Sequence, residues 1–358
     1  MDPPHKLTTE VCRRELAADF DDDMVQDAMA IILLPTQHTS GIFSDPLCLH
    51  YMSWEAQILP NPLRRPDDEC DDTPSDDLFR LYRLHSRLLL FIEDYLTKAT
   101  AVDPSREYFC LSPLSPDSQY LRYMGHPLCP RFSAAALTSP ERQRLFRAFL
   151  RYELLCKMFC SDHLGDGSWY LKLSSLWKYK GRAFQQVEAE AIKCVQSYVE
   201  SLHKAILIQC ESHDEFFMSD LLSGFSCFGF DLATVLLQAA TAGKQGRDHV
   251  QMWFHDVSER YLRMDSDWEY RNCIPCTKKI STMQRDQAWA FLDNLRFHPT
   301  RLQQLCFTDA DWYGPEKLRD LHDRPVDEHP HDTQIQLEYP TPPFLQGNRF
   351  VGLAPFWQ

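Results

Sequence analysis

Cysteine and histidine residues occur at two places in the chain with spacings that can hold a metal ion. Cys156, Cys160 and His163 are spaced C-x3-C-x2-H, and Cys273 and Cys276 form a C-x2-C pair. Structural zinc sites close with four such ligands, so the two half-sites would have to meet in space. However, Cys156 and Cys160 fall on an apolar helix, where cysteine usually serves as a small core residue. We therefore expect no bound zinc and no cofactor, and these five residues are the metal candidates.

The carboxylates of the pentad at residues 67–71 (DDECD) match the aspartate-rich pattern with which class I terpene cyclases hold Mg²⁺ and a diphosphate. That chemistry needs the carboxylates on a rigid helix that faces a cavity. In this chain the pentad lies between Pro66 and Pro74, and Cys227 occupies the glutamate position of the second metal motif. We interpret the pentad as part of a solvated acidic linker. A packed helix that carried it beside Asp220 would instead indicate a magnesium-dependent catalyst.

Other motifs for catalysis or ligand binding are missing from the sequence. It contains no G-x-S-x-G, no H-E-x-x-H, no kinase motif set and no Walker loop. A calcium-loop-like start at Asp265 fails because Tyr270 and Cys276 stand where that loop needs glycine and glutamate. Clusters of basic residues are short and isolated, which argues against nucleic-acid binding.

Charge is distributed unevenly along the 358 residues, whose formal net charge is −14. Residues 1–77 contain 17 acidic and 5 basic residues, a net of −12, whereas the other 281 carry 34 and 32, a net of −2. This balance disfavours binding to phosphate backbones or anionic membranes. The apolar run at residues 28–34 is too short to span a bilayer, and the first residues lack the apolar core of a secretory signal. We therefore expect a cytoplasmic or nuclear protein with reduced thiols and no membrane association.

Composition divides the chain into four parts. Residues 1–59 form a small acidic helical module, and residues 60–76 combine four prolines with acidic residues, which is typical of a flexible linker. Residues 77–322 carry helical periodicity and form the main helical domain. Residues 323–358 contain six prolines and several aromatic residues, which indicates an extended tail that packs on that domain.

Apolar residues recur every three or four positions through the main domain, so we predict an all-α fold with irregularly arranged helices and long loops. Helices are predicted over Leu78–Lys98, Ser139–Cys160, Phe184–Cys210, Asp231–Ala242, Arg247–Met264, Ser281–Phe297 and Gly314–His322. His85 lies on the apolar stripe of the first, and we interpret it as a packed histidine. Ser139 is the predicted cap of the second, with Pro140 at the first helical position. No segment alternates apolar and polar residues for long enough to predict a sheet.

Three segments resemble a broad group of uncharacterised helical proteins of filamentous fungi. They are residues 81–99 (LYRLHSRLLLFIEDYLTKA), 137–159 (LTSPERQRLFRAFLRYELLCKMF) and 348–357 (NRFVGLAPFW). The group brings no catalytic motif, so the resemblance implies a helical fold and no active residue. Some of its members look like proteins with an N-terminal F-box, a helical module that docks onto ubiquitin-ligase machinery, although residues 7–34 lack the Leu-Pro start of such a module.

These observations together predict a non-enzymatic protein-interaction or scaffold protein with a protein partner. Exposed aromatic side chains commonly anchor such partners. The candidates for this role are Trp253, Phe254, Trp268, Phe344 and Trp357. Two alternatives stay open: a helical enzyme of secondary metabolism with an unrecognised pocket, and an F-box-like adapter in protein turnover.

Overall fold

The computed structural model describes residues 3–37, 59–64, 76–101, 107–111, 114, 120–123, 126–160, 186–210, 225–226, 228–264, 288 and 291–292. Within these ranges the chain forms seven α-helices and one two-stranded sheet, so the predicted all-α class is confirmed. The helices are α1 (Pro3–Asp19), α2 (Asp22–Gln37), α3 (Asp76–Ala99), α4 (Ser139–Cys160), α5 (Gln186–Gln209), α6 (Gly229–Thr241) and α7 (Lys244–Met264).

The helices of the main domain follow the predicted bounds closely. Helix α3 has Asp76 and Asp77 in its first turn and Lys98 in its last, where these charges oppose the helix dipole. The predicted helix Ser281–Phe297 is described at three residues, and two of these, Ala288 and Phe291, lie in turns. The helix predicted over Gly314–His322 and the tail predicted over residues 323–358 lie outside the described residues.

The N-terminal cap of helix α4 lies one residue earlier than the sequence predicts. Thr138, not Ser139, is the cap: its backbone N–H donates to Glu141 Oε2 at 2.9 Å, and the Glu141 N–H lies 3.4 Å from Thr138 Oγ1. Ser139 is the first helical residue. The reason is the three-residue spacing of Thr138 and Glu141, which allows the two side chains to satisfy each other's backbone donors.

A short hairpin is the element that sequence periodicity missed. Strands β1 (Tyr120–Tyr123) and β2 (His126–Pro130) pair antiparallel, with Leu121 opposite Cys129. Leu111 adds an isolated bridge to Arg122 on the other side of β1. Four or five residues are too few to display a clear alternation, which explains why the sequence predicts no sheet.

Packing divides the chain into two compact units. Unit 1 comprises residues 1–96, 132–196 and 288–293, and unit 2 comprises residues 97–131, 197–287 and 294–358. Within unit 1, α1 and α2 pack against α4. The boundaries predicted from composition stay a prediction. The described part of the predicted linker 60–76 is also attached to α2, since Asn61 and Arg64 bond to Asp22 at 3.0 and 2.7 Å.

None of the helices in the described ranges combines the length and the apolar character that a membrane span requires.

Candidate functional site

The metal candidates fall mostly outside the described residues. Cys156 is buried on α4 with 2% of its surface exposed, and Cys160 is the last residue of that helix. His163, Cys273 and Cys276 lie in segments that the structure does not describe. Across the described ranges, no group of three or more His, Cys, Asp or Glu residues is arranged to hold a metal ion. The acidic pentad 67–71 and Asp220 also lie outside these ranges, so its predicted role stays a prediction.

The described ionisable residues of unit 1 are instead concentrated where α4 packs against the acidic run at the end of α1 and the start of α2. Arginines on α4 meet these acids in chain order. Arg142 lies 2.6 Å from Asp19, Arg147 contacts Asp21, and Arg151 lies 3.2 Å from Asp27. Three acids of the N-terminal region are therefore paired with arginines of α4.

His85 also contacts Asp19, the first acid of this row of ion pairs. Its Nε2 lies 2.8 Å from Asp19 Oδ2, the same oxygen that accepts from Arg142. An ionised carboxylate only accepts hydrogen bonds, so Nε2 carries the proton. The imidazole stacks on Phe146 at 4.8 Å between ring centroids and meets the edge of Phe20 at 5.3 Å. Both Asp19 and His85 are buried, with 2% and 3% of their surfaces exposed.

The environment of Asp19 combines two opposing effects on its pKa. Burial alone would raise the pKa of this carboxyl group, but the hydrogen bonds from His85 and Arg142 outweigh burial and lower it below its ordinary value. The carboxylate is therefore held in its charged form. The sequence interpretation of His85 as a packed histidine agrees with its surroundings.

A second group of titratable residues lies beside this cluster, between α1 and α3. The Tyr82 hydroxyl donates to Glu15 Oε2 at 3.0 Å. Burial and this negatively charged acceptor raise the pKa of Tyr82. Burial and Glu15 also raise the pKa of the Cys12 thiol, so that thiol is protonated and a poor nucleophile at neutral pH.

Further along α4, two ion-paired residues connect this helix to its neighbours. Arg151 contacts Glu188 of α5 as well as Asp27, and its surface is 7% exposed. Glu153 is fully buried and lies 3.3 Å from Arg87 of α3. Because each of these charged side chains pairs with a residue of another helix, the ion pairs hold the helices of unit 1 together.

A carboxylate bonded to a histidine is the pair that general-base catalysis uses, but the Asp19–His85 pair is not arranged for it. Arg142 shares the carboxylate oxygen, and the rings of Phe20 and Phe146 pack against the imidazole. Sequence reasoning did not identify this cluster. A partial signal was present, since Arg147 and Arg151 lie four positions apart and so share one face of this helix.

In unit 2, the described candidates for partner binding face inward. Trp253 and Phe254 of α7 have 7% and 2% of their surfaces exposed. Their rings contact Phe225, with both centroid distances at 5.2 Å, so they hold α7 against the unit. In this conformation neither is a surface anchor. Trp268, Phe344 and Trp357 lie outside the described residues.

The neighbouring Met252 points the other way. It is 56% exposed, and with Tyr120, at 47%, it is one of two large apolar side chains that are exposed among the described residues. Gln251 and His255 beside it are also exposed, as is Asp248 one turn earlier. Helix α7 therefore presents a flexible apolar side chain surrounded by polar groups.

Comparison with known proteins finds no match: no family model and no curated protein matches the sequence, and no solved structure matches the fold. Function must therefore be inferred from the side chains themselves.

Proposed function

We propose that this protein is a non-enzymatic interaction or scaffold protein, whose outward face of α7 contacts a protein partner. The observation that carries the proposal is the use of ionisable side chains in unit 1. Asp19, Asp27 and Glu153 are each bound by a basic side chain from another helix. Groups of this kind would supply proton transfer in an enzyme, and here they tie helices into a frame.

The surface that we propose for the partner is the exposed face of α7, which belongs to unit 2. Its inner residues, Trp253 and Phe254, fix the helix to unit 2. Its outer residue Met252 has an unbranched, polarisable side chain that adapts to differently shaped apolar partners. A helix face with one apolar residue in a polar surround would suit a partner that offers a small apolar pocket.

Site-specific photo-crosslinking tests the proposal. A photoreactive residue is placed at Met252 in the full chain, and a matched control carries it at Glu10, which is exposed on α1. We expect a discrete crosslinked protein from position 252 that is absent from position 10. An excess of unlabelled wild-type chain should suppress this product, whereas an excess of M252E should not. Identical products from both positions would contradict the proposal.

The two alternatives, a helical enzyme and an F-box-like adapter, stay predictions from the sequence.

A further inference from the structure

His203 on α5 is buried in unit 2 and has no hydrogen-bond partner among the residues that the structure describes. Its surface is 0% exposed, and neither Nδ1 nor Nε2 is bonded to any group that the structure describes. The ring meets Phe225 edge-on, with 6.4 Å between the centroids, and Phe225 in turn packs on Trp253 and Phe254 of α7. A buried polar group without a partner is unfavourable and rare in folded proteins, so it calls for an explanation.

The charged groups near this site do not compensate the ring. On α5 itself, Glu200 and Lys204 lie one turn or less from His203, but both are partly exposed, and Glu200 accepts a hydrogen bond from Ser226. On α7, Asp248, His249 and His255 are exposed or half-exposed, whereas Trp253 and Phe254 face the cluster. Burial is accordingly the cause that lowers the pKa of His203 to about 3.

We propose that His203 is an acid-sensitive device in unit 2, whose protonation opens the packing of α5 on Phe225 and α7. A protonated imidazole has two N–H donors and a positive charge, and no described group accepts a hydrogen bond from either ring nitrogen of His203. The proton is therefore taken up only when the ring reaches water. Such opening would also expose Trp253 and Phe254. This proposal goes beyond the proposed function and does not depend on it.

The sign and size of the effect follow from the two protonation equilibria. In the closed form the ring stays neutral down to about pH 3, whereas in the open form it titrates at its ordinary pKa of 6.5. The open form therefore binds more protons between these values, so opening becomes more favourable as the pH falls below 6.5. The population of the open form should rise by about tenfold per pH unit in that range, and by about 25-fold between pH 7 and pH 5.

Hydrogen exchange of the full chain at pH 7, 6 and 5, corrected for intrinsic exchange rates, tests this inference. In the wild type, we expect the equilibrium constant for opening of the amides in residues 197–209 and 244–255 to rise by about 25-fold between pH 7 and pH 5. H203L keeps an apolar side chain at the site and removes the titration, so its opening should be independent of pH in this range. H203Q serves the same purpose with a polar side chain, in case one of the two variants fails to fold.

H85Q is the matched control, since it removes the other fully described buried histidine and should leave the response of unit 2 intact. An unchanged opening equilibrium in the wild type would overturn the proposal. An equal rise with acid in H203L or H203Q would also overturn it, because the response would then come from another group.

Discussion

Each unit buries a histidine side chain, and the two histidines differ in their hydrogen bonding. In unit 1, His85 donates to the Asp19 carboxylate, whose charge is also matched by Arg142. In unit 2, His203 packs edge-on against Phe225 and has no polar partner in the part of the chain that the structure describes. The same side chain is therefore part of an ion-pair network in one unit and an isolated polar group in the other.

The difference extends to the packing around each histidine. The helices of unit 1 are joined by buried ion pairs. In each pair, the unfavourable desolvation of the two charges is offset by their electrostatic attraction. In unit 2, α6 packs mainly through apolar residues and close backbone approach, and eleven of its thirteen residues are buried. The comparison teaches that unit 1 should be sensitive to loss of charge and unit 2 to changes in shape.

Removing the arginine that pairs with two carboxylates should cause the largest loss of unfolding free energy. R151M deletes the guanidinium that contacts both Asp27 and Glu188, and breaking a buried ion pair costs about 3–5 kcal/mol of unfolding free energy. Hydrogen exchange of α4 amides measures the loss in unit 1. The matched control is R64M, which removes an exposed pair with Asp22 and should cost at most about 1 kcal/mol. Equal losses would mean that buried charge does not distinguish unit 1.

A small change of shape should damage unit 2 by a comparable amount. A Cβ at Gly246 would lie 1.9 Å from the backbone oxygen of Ala239, so G246A must push α7 away from α6, at a cost of about 3 kcal/mol. Denaturant unfolding of the full chain, followed by exchange of α6 amides, reports this cost.

Gly243 provides the control in the same turn. Its φ of 102° is strained for other residues, but nothing lies within 4 Å of an added Cβ. G243A should therefore cost only the backbone strain, about 1–2 kcal/mol. If G243A is the more damaging variant, backbone conformation and not close approach governs this contact.

In unit 1, the buried Asp19 carboxylate should respond to acid at a lower pH than His203 does. Because its two hydrogen bonds lower the pKa of Asp19 below the ordinary 3.8, its stabilisation is complete above about pH 4 and is lost as the pH falls through the lowered value. D19N should destabilise unit 1 by about 2 kcal/mol at pH 7, since hydrogen bonds to a charged group are lost. It should also remove part of the acid response.

Exchange of α4 amides at pH 6, 4 and 3 measures this response separately from unit 2. D76N, which changes an exposed carboxylate at the start of α3, is the control and should keep the wild-type profile. A D19N profile that still falls as steeply as the wild type would assign the response to other acids.

The smallest effect is expected at the cap of α4. T138A removes the side-chain oxygen that accepts from the Glu141 N–H and should cost about 1 kcal/mol. S139A, one residue later, should be close to neutral because Ser139 is not the cap. A thermal unfolding series of the two variants decides between the observed cap and the one predicted from the sequence.

Much of the fold was accessible from the sequence because its signals are local. The spacing of apolar residues and the acids at residues 76 and 77 placed α3 to within two residues of its observed ends. The hairpin was not accessible, since its strands are short and the Leu111–Arg122 bridge joins residues outside any regular repeat. The interior cluster was missed for the same kind of reason: Arg142 and Asp19 are 123 residues apart.

By itself, then, the amino-acid sequence determined the helical class and the course of its main helices, because helix formation depends on residues three or four positions apart. It also determined that acidity is concentrated in the first 77 residues. Only the tertiary structure decided that Asp19, Asp21 and Asp27 of this region pair with arginines of α4. It also decided that, among the described residues, one buried histidine has a carboxylate partner while the other has none. Electrostatic stabilisation depends on distance in space and on exposure to water, which a linear pattern does not contain.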